Sequence, residues 1–130
     1  MTMTDEQKMM FNAPRPRPNV VTSRTVSVPI GCGHAFVTVG HDEEGLVECF
    51  VTVGRAGGCS YSWAEGLGRM VSMAMRLGAD PAAIHDQLAG VRCPQVVTED
   101  GVTVESCVDA VSKAFEVLGL VENKEASDGD

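Results

Sequence analysis

Three runs of β-branched residues constrain this chain more than any other feature. Residues 24–30 (RTVSVPI), 34–39 (HAFVTV) and 46–53 (LVECFVTV) alternate with a period of two, and only residues 31–33 and 40–45 separate them. Parallel strands need a crossover of a dozen or more residues, so connections this short imply an antiparallel three-stranded meander. The alternation also assigns faces. Val47, Cys49, Val51 and Val53 share one face, matched by Ala35, Val37 and Val39 on the strand before. His34, Phe36, Thr38, Glu48, Phe50 and Thr52 point the other way. Phe36 and Phe50 then form either a simple cross-strand contact or a docking patch for a partner. Pro29 has no backbone donor, which places the first strand at the edge of the sheet.

The pattern changes after Val53. Cys59, Trp63, Leu67, Met70, Val71, Ala74 and Leu77 recur at helical spacing, with Gly78 as the stop. Gly66 and Gly68 interrupt this helix, each weakening it by about 1 kcal/mol relative to alanine, a cost that points to close backbone approach. Asp80 and Pro81 form a cap and first residue for a second helix that carries Ile84 and Leu88 and ends at Gly90. Residues 95–98 and 102–104 flank a turn at Gly101 and read as a small hairpin. Ser106 and Asp109 have the spacing of a capping box. The helix they open presents Cys107, Val111, Ala114, Phe115 and Leu118 on one face. The fold class is therefore α+β: an antiparallel three-stranded meander packed against about three helices, plus a small β-hairpin.

The domain is expected over residues 24–120, about 97 residues, enough for one core without obligatory staples. Residues 1–23 read as a flexible arm containing the alternating run Pro14-Arg15-Pro16-Arg17-Pro18, which favours an extended conformation. Residues 121–130 are small, acidic and polar, and are expected to be disordered.

The net charge is −8, with the only Lys/Arg clustering in the arm, and this opposes direct nucleic-acid binding. No apolar run approaches the roughly 20 residues that span a bilayer, and no signal-peptide core is present, so a cytoplasmic, non-membrane protein is expected.

Five cysteines, Cys32, Cys49, Cys59, Cys93 and Cys107, are too many and too odd for a disulfide framework in that compartment. Cys49 sits mid-strand among valines and reads as a core residue. The other four lie at element boundaries, where thiolates can converge on a tetrahedral zinc, although no C-x-x-C pair is present. His34, two residues from Cys32, is an alternative ligand or a surface strand residue; His41 and His85 read as loop and exposed-helix residues. Gly54, Arg55, Gly57 and Gly58 stand between a strand and a helix, where free N–H groups suit a nucleotide or other anion, or simply make a tight turn. No Ser/His/Asp set or paired carboxylate stands out.

Several of these segments together resemble the TSCPD domain, found at the C-terminus of vitamin B12-dependent ribonucleotide reductases. The resemblance rests on PRPRP at 14–18, GCG at 31–33, VTVGRAGGC at 51–59, AEGLGRMVSMAMRLG at 64–78, VRCP at 91–94 and ESCVD at 105–109. In the last, Ser106, Cys107 and Asp109 match the name motif, whereas Glu105 and Val108 replace its Thr and Pro. The four boundary cysteines lie inside these segments and Cys49 does not, so the resemblance raises the zinc reading. It implies a link to deoxynucleotide supply through a ribonucleotide reductase large chain as partner; self-association is a further possibility. It does not carry catalysis over. The reductase barrel, its finger-loop cysteine and a cobalamin site have no counterpart here, and the end VENKEASDGD lacks the cysteines of a thiol shuttle. The expectation is a non-catalytic accessory module, possible zinc included, with small-ligand binding at residues 54–58 as the alternative and a dithiol redox protein third.

Overall fold

A computed structural model of the 130-residue chain describes residues 1–53 and 58–122, with the backbone alone at 58–60. Three strands, β1 (Thr22–Ile30), β2 (Gly33–Asp42) and β3 (Gly45–Val53), form an antiparallel meander in the order β1-β2-β3. Its register sets Val28 opposite Ala35, Val37 opposite Val51 and Val39 opposite Cys49. The valine face is the buried one: Ala35, Val37, Val47 and Cys49 are fully inaccessible. Four helices follow or precede the sheet: α1 (Asp5–Met9), α2 (Gly58–Arg76), α3 (Pro81–Leu88) and α4 (Cys107–Val117). A hairpin of β4 (Val97–Glu99) and β5 (Val102–Val104) stands between α3 and α4. The α+β architecture is the one the alternation implies. The core closes with Ala110, Val111, Ala114 and Phe115 of α4, Ala64, Val71 and Met75 of α2, and Ile84 of α3.

The polar loop expected at residues 40–45 is shorter than the sequence suggests. β2 runs on to Asp42, with a register irregularity at Gly40/His41, and the turn is Glu43-Glu44 alone. The reason is the Asp42 carboxylate, whose Oδ1 accepts from the N–H groups of Glu44 and Gly45 at 2.9 and 3.2 Å. Asp42 builds the turn from its own side chain, and Gly45 supplies the φ of +136° that closes it. His41 accordingly lies in β2 rather than in a loop.

The phase of α2 is also different. Ala64, Gly68, Val71, Ser72 and Met75 face inward, while Trp63, Met70 and Leu77 are exposed. Small residues turn inward because the helix lies against the free edge of β3. A Cβ on Gly68 would come within 3.0 Å of the Cys49 carbonyl. Ser72 Oγ accepts from Cys49 N–H at 2.9 Å and shares its one proton between the carbonyls of Cys49 and Gly68. Arg76 Nη1 donates to Val47 O at 3.1 Å. The helix thus satisfies edge groups that would otherwise invite another strand. The glycine cost at position 68 has a packing reason; at Gly66, among the described residues, nothing outside its own stretch of helix lies within 4 Å of an added Cβ.

The arm was expected over residues 1–23, yet β1 already begins at Thr22. Thr4 and Gln7 close a capping box on α1, all of whose side chains are exposed. Beyond it, Arg15 N–H bonds to Arg76 O, and the Arg15 guanidinium forks onto both oxygens of Asp42 at 2.9 Å. Arg17 grips Glu48 through two bonds, leaving Glu48 only 6% exposed. The arm therefore straps one end of the outer sheet face, and a Cβ on Gly40 would strike Val21. The hydrogen bond from Arg15 holds the Asp42 carboxyl below its ordinary range. A depressed carboxylate pKa stabilises the strap above the unfolded value and loses that effect as pH falls through the folded one. Acidification through that range, or Arg15→Ala at neutral pH, is expected to lower the protection of the residue 15 amide relative to its intrinsic exchange rate at the same pH. Unchanged protection in both cases would mean that the guanidinium does not hold the strap.

Candidate functional site: the cysteine end and the open sheet face

Three of the four boundary cysteines gather at the β1–β2 turn end of the sheet. Cys32 lies in that turn, and its Sγ donates to Gln95 Oε1 at 3.0 Å. The turn sits hard against Gln95: a Cβ on Gly31 would lie 2.3 Å from Gln95 Cβ, so only glycine fits. Cys93 bonds through its N–H to Glu105 O and through its sulfur to Gln95 O. Cys107 is the first residue of α4. Its thiol is pushed up by burial and further by Cys32 and Cys93 nearby. Cys32 is exposed, while Cys93 and Cys107 are half-buried.

Cys49 stands apart, fully buried in β3, its thiol pushed up to about 12 by desolvation. A thiol so far from ionising is a packing residue and not a nucleophile. Cys59 belongs to the first turn of α2, and its side chain lies outside the described residues. So do Gly54, Arg55 and Gly57 of the anion reading, of which only Gly58 enters α2. Among the described residues no group of three or more His, Cys, Asp or Glu side chains is arranged to hold a metal ion; Cys32 and Cys93 both bond Gln95. His34 does not join the cysteines: it sits on the outer face with Nδ1 3.2 Å from Ser27 Oγ. His85 is not an exposed helix residue either, since Nε2 lies 3.0 Å from Glu116 Oε2 and the pair links α3 to α4 with little exposure.

What positions Cys107 is a carboxyl group whose structural role the sequence reading missed. Asp109 is fully buried. Its Oδ1 accepts from Gly90 N–H and Ser112 Oγ, each at 2.8 Å, and its Oδ2 accepts from Glu105 N–H at 2.9 Å. Ser106 Oγ caps Asp109 N–H at 3.0 Å and bonds the Val91 carbonyl. The expected capping box is thus only half formed. Asp109 reaches past the cap to tie the end of α3, the β5–α4 junction and α4 together.

The outer sheet face is open beyond the strap. Phe36 is 46% and Phe50 55% exposed. The register puts Phe36 opposite Thr52 and Phe50 opposite Thr38, so the rings are diagonal neighbours and not a direct pair. Around them lie Thr25, Thr38, Ser27 and His34, and Glu48, paired with Arg17, borders Phe50 along β3. A groove of about 560 Å³ continues from Phe50 to Tyr61, Arg69 and Met73 of α2, with Arg17 at its end.

A family model described as the TSCPD domain matches residues 7–118. The chain belongs to the TSCPD domain family. The match begins within the arm, so the strap formed by Arg15 and Arg17 lies inside the family region. This membership supports a link to ribonucleotide reductases. No curated protein and no solved structure matches the chain. Among the described residues, no helix is long and apolar enough to cross a membrane.

Proposed function

We propose that this TSCPD chain is a non-catalytic accessory module that binds a ribonucleotide reductase large chain in the cytoplasm and serves deoxynucleotide supply. The observation that carries the reading is the outer sheet face beyond the Arg17–Glu48 pair, which bears Phe36 and Phe50, each about half exposed. Aromatic side chains on a firm scaffold are what protein interfaces use as anchors, and isolated chains seldom leave them open without reason. The strap leaves this part of the face uncovered, and membership of a domain family associated with ribonucleotide reductases supports such a partner. We assign the cysteine quartet Cys32, Cys59, Cys93 and Cys107 a structural part in this reading, as zinc ligands that fix the turn, the 91–95 loop and α4 under the docking face.

The test is titration calorimetry of the purified full chain against a purified B12-dependent reductase large chain. Binding is expected, and Phe36→Ser with Phe50→Ser should weaken it by at least ~30-fold, since interface anchors contribute about 2 kcal/mol or more each. Neither substitution touches the buried face, so the variant's unchanged circular dichroism melt controls for folding. Absence of binding, or binding indifferent to both phenylalanines, would overturn the reading.

A further inference from the structure

Helix α2 is apolar on two opposite sides. One side is buried against β3 and the core through Ala64, Val71 and Met75. The other carries Trp63, Met70, Met73 and Leu77, which are 37%, 63%, 41% and 42% exposed. A helix apolar all round normally has protein on both sides. Together the four side chains expose an area on the order of the largest apolar patch of a typical monomer, which is often functional.

We infer that this stripe pairs with the α2 stripe of a second copy, making the protein an isologous dimer. Three observations favour a second copy over an unrelated partner. Positions 63, 66, 70, 73 and 77 alternate steps of three and four, the spacing that interdigitates with a facing helix of the same spacing. Gly66 lies within the stripe, and among the described residues nothing outside its own stretch of helix comes within 4 Å of where its Cβ would be, so packing against them does not account for its helix-weakening cost. In an antiparallel pairing it is the hole that receives Met70 of the other copy. The rim is self-complementary as well: Glu65 and Arg69, bonded at 3.1 Å within one helix, carry both signs four residues apart. Antiparallel contact centred between Gly66 and Met70 brings each Glu65 beside the other copy's Arg69. The stripe is also free of charge, so two chains of net charge −8 can meet there without burying an unpaired carboxylate.

The inference does not depend on a reductase partner. Sedimentation equilibrium of the full chain in reductant, from low to high micromolar concentration, is expected to show a reversible species of twice the 13.7 kDa chain mass. Met70→Lys places two ammonium groups at the centre of the contact and should weaken dimerisation by at least ~100-fold. Its 63% exposure in one chain means that the monomer fold should melt unchanged. Gly66→Ala should leave the monomer as stable or more stable while weakening the dimer, the opposite of what helix propensity alone gives. Phe36→Ser should leave the dimer intact. A chain monomeric at every concentration, a dimer indifferent to Met70→Lys, or a Gly66→Ala dimer at least as tight as the native one would overturn the inference.

Discussion

Replacing Asp109 with alanine is expected to cost this chain about 2–6 kcal/mol, the cost of leaving two backbone donors without their acceptor. The carboxyl group is fully inaccessible and accepts from Gly90 N–H, Glu105 N–H and Ser112 Oγ. Alanine leaves the Gly90 and Glu105 N–H groups without their acceptor, at about 1–3 kcal/mol each. It also removes an acidic residue from the first turn of α4, where the helix dipole favours it. A domain of this size has about 5–15 kcal/mol of total stability, so the loss would bring it close to unfolding at ambient temperature. Asp109→Asn separates shape from acceptor chemistry. The amide keeps one acceptor oxygen but turns an NH2 group toward either Gly90 N–H or Glu105 N–H, donor against donor, and should recover only part of the loss. Urea denaturation of the three proteins measures this. A loss below about 1 kcal/mol for the alanine variant would show that Gly90 and Glu105 find other acceptors, and that α4 does not depend on the carboxyl.

The strands were legible because alternation is a local property: each run states its own face, and short turns leave one topology. The α4 face was legible for the same reason. In α2 two stripes compete, since Ala64 and Val71 are seven apart and so are Trp63, Met70 and Leu77. Side-chain size suggests burying the larger set. The approach to the β3 edge selects the smaller one, because Gly68 and Ser72 must meet the Cys49 backbone. That contact links positions 23 residues apart and leaves no trace in local periodicity. The arm hid its role similarly. Arg15 and Arg17 read as a basic cluster, and only the fold brings Asp42 and Glu48 beneath them. Asp109 was misread for a subtler reason: its spacing from Ser106 fits a capping box, but Gly90 offers its side chain a partner from another helix. At the cysteines, boundary position grouped Cys32, Cys59, Cys93 and Cys107; Cys49 lies buried in the core, and the Cys59 side chain falls outside the described residues.

The zinc assignment has the largest expected effect. Metal analysis of the chain reconstituted with zinc should give one ion per chain, and Cys107→Ser should abolish it. The free energy of a structural zinc site, about 10–16 kcal/mol in zinc-finger peptides, is folding energy, because no preformed site exists in the unfolded chain. A strong chelator should then lower the melting temperature of the native protein sharply and leave Cys107→Ser unaffected. Cys49→Ala is the matched control. It removes a buried sulfur with no part in the site and should cost about 1 kcal/mol, the scale of a small core truncation. The comparison separates a metal site from plain packing, since Cys107 is only half-buried and Cys49 is wholly buried. On packing alone Cys49 would be the costlier residue to lose; with zinc the order reverses. Cys32→Ser sharpens the contrast further, because an exposed turn cysteine contributes little to a core yet would remove a quarter of the ligand set. A zinc-free chain in which Cys32→Ser and Cys107→Ser both melt above Cys49→Ala would leave the cysteines as independent packing residues around Gln95, with Asp109 as the element that holds α4 in place.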